Sequence, residues 1–544
     1  MEIRTSTAED WRPVFRLAFA FAAIKLAIEF VGNLVAQHFG YGIFRDEMYY
    51  IVCGRHLAWG YVDQGPMVAL QARAAEMLFG FHHLALLRLF SGLVGGVKVF
   101  LTGVLAWLLG GRRIAQATAM VAVLIAPVYL GIDSFLSMNS FEPVFWMGCL
   151  LAVLLLVRGA DPRWWMAFGV LGGLGLLNKP SIAFFLVALL IGLLLTPQRR
   201  ILWNRWALVA VALIFVIALP YLLWQIHHHW PTLVWLNNVN HSHKNVKLGP
   251  VAFIGAQIMM LHPISIFLLL PGLLWLLVAK SACGFRWIGI MYVALFAIMI
   301  HLYAKDYYVA PVYPVLFAAG ALAWQSLFSL SRKTAWLMPA WCVVMLILGA
   351  IALPMGIPVL PPYTWIRYTR ALHMTSENTE TAKTGPLPQF YADRFGWHGL
   401  VAEVARIYNS LTPADRAKAG IFCNNYGEAG AIDLFGPKYG LPPAIRAELW
   451  LLYAVAAVSE PCGGVVGGDG FEGVANGLFE GFLAASLGGA QKLFELGPGL
   501  LDRVQVRRVG WQIDQLRAAG FDPFAYSHNL VRRQVIEDYY IARL

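Results

Sequence analysis

Long apolar runs alternate with short polar loops over roughly the first two thirds of the chain, and the runs are of bilayer length. A transmembrane helix needs about 20 largely apolar residues, with a range of about 17–25. Runs near that length fall at 15–37, 85–110, 114–131, 142–157, 164–178, 180–196, 206–226, 251–279, 287–303, 308–330 and 335–356. They predict a polytopic α-helical protein with about 11 transmembrane helices. Only Asn178-Lys179-Pro180 divides 164–178 from 180–196, so that pair reads either as two spans or as one broken helix with a re-entrant turn. The opening MEIRTSTAEDWRPVFRLAF mixes acids and bases and leads into the first run without a small-residue cleavage site, which reads as an uncleaved first span.

Basic residues orient the spans. Arg112 and Arg113, then Arg158 and Arg163, then Arg199, Arg200 and Arg205, then Lys280 and Arg286, then Arg332 and Lys333 occupy every second loop. All fall on one side if the spans alternate from a cytoplasmic N-terminus. The loops 38–84, 132–141, 227–250 and 304–307, and everything after about 357, are then extracytoplasmic. The expected location is a cell membrane, with the C-terminal part extracytoplasmic.

Composition agrees with this pattern. The 544 residues are 59% hydrophobic and 13% charged, where soluble domains carry roughly 25% charged residues. The formal net charge of +11 is carried in part by those alternate loops and forms no nucleic-acid arm. Among six cysteines there is no CxxC pair or His/Cys cluster of the zinc type. Cys423 and Cys462 are a disulfide candidate if the tail faces an oxidising compartment.

Composition shifts after residue 356. LVAEVARIYNSL has helical spacing, TPAD reads as a helix start, and GIFCNNYGEAGAIDLF reads as strand, turn and helix. The expected division is a membrane domain over 1–356 and a small extracytoplasmic α/β domain over 357–544.

The assumed orientation collects the unusual polar residues on one side. RDEMYYIVCGRHLAWGYVDQGP supplies Asp46, Glu47, Tyr49, Tyr50, Arg55, His56 and Asp63. Asp133, Asn139 and Glu142 follow in IDSFLSMNSFEPVFW, and Asn178 and Lys179 sit at a span break. Lys244 and Lys247 lie in the third outer loop, with Gln257, His262, Lys305 and Asp306 beyond. Each alone has an ordinary explanation, since carboxylates cap helices and lysines snorkel. Together they mark a site, because ionisable groups in a membrane domain are functional candidates by default.

The acidic pair in RDEMYY, the following CGRHLAWGYVDQGPMVAL, and SMNSFEPVFW, GLGLLNKPS and KDYYVAPVYPVL together resemble the membrane glycosyltransferases of the protein O-mannosyltransferase superfamily. That superfamily has the GT-C fold, is glycosyltransferase family 39-like, and includes the lipid A aminoarabinose transferases and Rgt-type lipopolysaccharide transferases. The resemblance covers about residues 10–440 and is specific in the first loop.

It implies inverting transfer of one sugar from a polyprenyl-phosphate donor to a lipid A, lipopolysaccharide, polysaccharide or protein acceptor. The leaving lipid phosphate is already a stable anion, so one carboxylate base suffices, whereas glycoside hydrolases need a carboxyl acid as well. The resemblance makes Asp46 that base, with Glu47 orienting the site and Glu142 a second catalytic carboxylate. Lys179, Arg55, Lys244, Lys247 and Lys305 are candidates for the donor phosphate. Tyr49, Tyr50, Asp63, Asn139 and Asn178 are candidates for substrate contact. Some relatives bind a divalent metal, for which Asp46, Glu47, Glu142 and His262 are candidate ligands, although no spacing demonstrates a site.

The chain departs from the family at Asn139, where an Asp is common, and after GPKYGLPPAI, where residues 444–544 turn Gly/Ala/Val-rich. A transporter or flippase is the alternative, but no internal repeat of the transporter type is visible.

Overall fold

The structure is a computed structural model that describes residues 11–241, 246–328, 333–374, 385–417, 419–423, 425–446, 506–508 and 540–543. The chain falls into two compact units. The first comprises Met1–Tyr41, Gln64–Leu222 and Lys247–Trp365; the second comprises Gly42–Asp63, Leu223–Val246 and Ile366–Leu544. The segments 42–63 and 223–246 thus group with the C-terminal residues rather than with the spans that flank them.

Among the described residues, six helices are long and apolar enough to cross a bilayer: Leu84–Leu108, Met138–Val157, Arg205–His227, Lys280–His301, Asp306–Phe328 and Leu337–Gly356. The number becomes eight if two bent pairs each count as one span. The chain is a multi-pass membrane protein. Three further runs of the sequence pattern are helical but fall outside that set. Trp164–Asn178 and Ile182–Leu194 are shorter apolar helices, and Trp11–His38 carries Lys25 and Glu29 in its apolar stretch.

Two of the expected straight spans are bent. Arg113–Ile125 and Pro127–Asp133 meet at 62°, since Pro127 has no amide proton to continue the first helix. The run 251–279 breaks by 103° between Pro250–Met260 and Pro263–Val278. His262 turns the corner with a φ of 77°, and its Nδ1 accepts from Ile264 N at 3.3 Å. Many large apolar side chains on these helices are exposed, including Leu208, Val216, Leu274 and Ile347, as lipid-facing surfaces require.

Inside the first unit lies a charge cluster that hydropathy does not reveal. Lys25 meets Glu29 at 2.5 Å and Asp133 at 3.2 Å, and donates to the Tyr129 carbonyl at 3.1 Å. Lys98 donates to both Asp133 oxygens, at 2.8 and 3.0 Å. Asn33 accepts from Arg88 at 3.2 Å and donates to the Glu29 carbonyl at 3.0 Å. All six side chains are essentially inaccessible to solvent. Gly95 makes room, because a Cβ there would stand 2.6 Å from Asp133 Oδ2 and 3.1 Å from Lys25 Cε. Asp133 was expected in an outer loop; it instead ends the short helix Pro127–Asp133 as the hub of this cluster.

In the second unit, Pro231–His241 is helical where the sequence suggested only a loop. The C-terminal pattern reads as expected. Trp397–Asn409 and Tyr426–Phe435 are helices, and Thr412 caps Pro413–Arg416 by accepting from Asp415 N at 3.2 Å. Strands β1 (Ala419–Cys423), β2 (Ala444–Arg446), β3 (Val506–Arg508) and β4 (Tyr540–Arg543) form a sheet in the order β2-β1-β4-β3. β1 pairs with β2 in parallel, Ile421 opposite Ala444, and with β4 antiparallel, Ile421 opposite Ile541. Cys423 is buried in β1; Cys462 and most of 444–544 lie outside the described residues.

Candidate functional site

The helix Arg45–Arg55 sets out the first-loop chemistry. Phe44 is extended at its N-cap and donates its amide to Glu47 Oε2 at 2.9 Å. Glu47 is thereby drawn back along its own first turn and fully buried, where a carboxylate also suits the helix dipole. Asp46, one position earlier, lies on a different face and keeps a side-chain exposure of 20%.

Asp46 Oδ1 accepts from the Tyr426 hydroxyl at 2.9 Å and from Arg45 Nε at 3.3 Å. Arg45 Nε also lies 3.2 Å from Asp393 Oδ2, and its guanidinium sits 5.5 Å from the Tyr426 ring centre. Tyr49 donates to Asp63 at 2.7 Å and packs against Tyr426 with ring centres 5.0 Å apart. Burial, and next the Asp46 carboxylate, hold the Tyr50 phenol well above its ordinary range. Tyr50 therefore stays protonated at neutral pH and is no base. Tyr61 caps the C-terminal end of the same helix, donating towards the Cys53 and His56 carbonyls at 2.9 and 3.0 Å.

A second cluster lies in the first unit. Ser137 caps Met138–Val157 by accepting from Asn139 N at 3.1 Å. Asn139 and Glu142, three positions apart, share a helix face. Trp164–Asn178 ends at the extended Lys179, because the following Pro180 disfavours helical geometry there. Lys179 Nζ donates to Asn139 Oδ1 at 3.0 Å and to Glu142 Oε2 at 2.9 Å. It also stands 3.9 Å from the Tyr308 ring centre and 5.3 Å from that of Tyr307. Ser181 donates to the other Glu142 oxygen. Asn178 is held by Gln71 at 3.2 Å and by the Met138 carbonyl at 3.0 Å. A crevice lined by Asn139, Glu142, Pro143 and Tyr307 opens beside the pair.

Lys179→Ala would strand Glu142, whose side chain is 5% exposed. Truncating one partner of a buried pair costs about 3–5 kcal/mol, so a clearly lower melting temperature in detergent is expected. An unchanged melting temperature would show that the pair carries no such weight.

The other candidates are more scattered. Arg55 and Lys247 are exposed, and Lys305 is half-buried. Lys244 lies outside the described residues. Among the described residues, no three His, Cys, Asp or Glu side chains gather to hold a metal. Of the candidate ligands, Glu47 caps its own helix and His262 its chain corner. Sequence reasoning missed Tyr426, Arg45 and Asp393 around Asp46, and Ser181 and Tyr308 around Lys179. YADRF and NNYG offered no signal, and KDYYVAPVYP entered the sequence reading only as a stretch that carries the family resemblance.

Residues 63–224 match the family described as dolichyl-phosphate-mannose-protein mannosyltransferase. The match takes in Asn139, Glu142 and Lys179 and begins after Asp46. Over 230 residues the chain is 28% identical to the lipid A galacturonosyltransferase RgtD of Rhizobium johnstonii, a stretch covering 42% of this chain and 48% of that one. The chain thus spans about half the length of the curated relative it matches. The fold is similar to the crystal structure of ArnT from Cupriavidus metallidurans bound to undecaprenyl phosphate, with a TM-score of 0.53 and 18% identity over 80% of this chain and 87% of that one. The chain has the GT-C fold. The apo form of the same ArnT matches equally, with a TM-score of 0.53 and 17% identity over 81% and 88%. The GT-C resemblance read from the sequence is borne out.

Proposed function

We propose that the chain is an integral-membrane glycosyltransferase that moves one sugar from a polyprenyl-phosphate donor to a glycolipid acceptor outside the cytoplasm, with inversion at the anomeric carbon. The observation that carries this reading is the Asp46 carboxylate. Oδ1 is engaged by Tyr426 and Arg45, and among the described residues no bond falls on Oδ2. In the reaction the acceptor hydroxyl oxygen bonds to the anomeric carbon while Asp46 Oδ2 takes its proton. The bond from that carbon to the phosphate oxygen breaks, and the lipid phosphate leaves as an anion.

The similarity to a lipid A galacturonosyltransferase and to a fold solved with undecaprenyl phosphate supports lipid A as acceptor and a polyprenyl phosphate as carrier. Lys179, which contacts Glu142, Asn139 and Tyr308 within the first unit, is the candidate ligand for the donor phosphate in this reading. The site then faces the periplasm from the inner membrane, with the C-terminal residues on the same side.

The test is mass spectrometry of envelope glycolipids from cells with the wild-type chain, with Asp46→Asn, or with none. A one-sugar mass increment present only with the wild type is expected and names sugar class and acceptor. Identical profiles from folded, membrane-inserted protein would reject the transferase reading in favour of transport.

A further inference from the structure

Tyr426 sits on a helix whose start is unusually well fixed. The Asn425 side chain accepts from Gly427 N at 3.0 Å and Glu428 N at 3.1 Å, and donates to Glu428 Oε1 at 2.6 Å. This side-chain cap sets the first turn and with it the direction of Tyr426. Small residues then let that turn close on Arg45–Arg55. A Cβ at Gly427 would lie 2.9 Å from Arg45 Cβ, and one at Gly430 would lie 3.0 Å from Met48 Cβ and 3.2 Å from Tyr49 N. The ring packs against the Tyr49 ring and lies 5.5 Å from the Arg45 guanidinium carbon. Cap, close packing and ring contacts converge on one result, a hydroxyl 2.9 Å from Asp46 Oδ1.

We infer that Tyr426 is a positioning residue for Asp46: with Arg45 it occupies Oδ1, fixes the rotation of the carboxylate and leaves Oδ2 to receive the acceptor's proton. This rests on the proposed transferase reading and extends it to a residue about 380 positions away in sequence. A carboxylate held at one oxygen presents a single basic atom in one place, whereas a free one samples rotations in which neither oxygen faces the acceptor. The loss of such a bond slows the chemical step and leaves substrate affinity alone.

The experiment compares Tyr426→Phe, Asp46→Asn and wild type, as full chains in detergent, using the undecaprenyl-phosphate sugar and glycolipid identified by the mass difference above. Phe keeps the ring beside Tyr49 and Arg45 and removes only the hydroxyl. The expected result is a kcat lower by about tenfold or more, the scale of a hydrogen bond to a charged group, with KM for donor and acceptor and the melting temperature near wild type. A kcat within twofold of wild type would overturn the positioning role. So would a fall in melting temperature accompanied by changes in both KM values, which would mark a merely structural contact. Asp46→Asn separates the two levels of the argument. If that variant is dead and Tyr426→Phe is normal, only the role of Tyr426 fails. If Asp46→Asn remains active, or the wild type transfers no sugar, the reading beneath it fails.

Discussion

Asp46→Asn is expected to lower sugar transfer by at least about 10²-fold, the lower end of what a positioned general base contributes, while leaving the amount of folded protein in the membrane nearly unchanged. Two features of the structure set these opposite expectations. The amide removes the proton acceptor but is close in size to the carboxylate, and at 20% exposure its new NH₂ group has access to water. The adjoining packing is carried by other groups: Glu47 caps the helix, Asp63 holds Tyr49, and Asp393 remains beside Arg45. The measurement is the modified fraction of acceptor in cells, normalised to folded protein recovered in detergent. Transfer within a few-fold of wild type would remove Asp46 as the base. A loss of folded protein equal to the loss of transfer would recast it as a structural ion-pair partner.

The sequence made legible what depends on local pattern. The apolar runs, the break at Lys179-Pro180, and the strand-turn-helix around Asn425 all follow from neighbouring residues, and the structure places helices or turns there. The acidic pair was legible for the same reason, and so was the divergence of Glu47 from Asp46, since adjacent helical positions diverge. Long-range pairings were not legible. Lys25, Glu29 and Lys98 sit inside runs whose hydropathy outweighs them, and Asp133, the partner of both lysines, is more than 100 residues from Lys25. Nothing local announces that four charges on three helices will cancel. Tyr426 was missed because NNYG gives a helix start and no hint of a partner near residue 46. The corner in 251–279 was missed because LHPIS contributes a single proline within a run that is apolar on both sides. The positive φ of His262 is a property of the fold rather than of that pentapeptide.

Asp133→Leu should prevent accumulation of the folded chain. Asp133 is the only carboxylate paired with Lys98 among the described residues, through both oxygens, and one of two paired with Lys25. Its removal leaves an ammonium group in a site with no solvent exposure. Breaking such a pair costs about 3–5 kcal/mol, a large share of the roughly 5–15 kcal/mol that typically separates folded from unfolded protein. The expected readout is loss of the monodisperse peak on detergent size exclusion, with aggregated or degraded chain in its place. The informative control is Asp133→Leu combined with Lys98→Met. Replacing both members of a buried pair by apolar residues of similar volume is often neutral or stabilising, and Lys25 retains Glu29, so the double variant is expected to recover most of the folded protein. Recovery would assign the single variant's defect to the stranded charge, and would show that the cluster is not required for the chain to reach its fold. If the double variant fails as completely as the single one, the pairing account of this cluster is wrong, and the carboxylate must be needed for the close approach of Trp11–His38, Leu89–Leu108 and Pro127–Asp133 around Gly95. If the single variant folds normally, the lysines have found water or a lipid phosphate, and the cluster is not the dry network the distances describe.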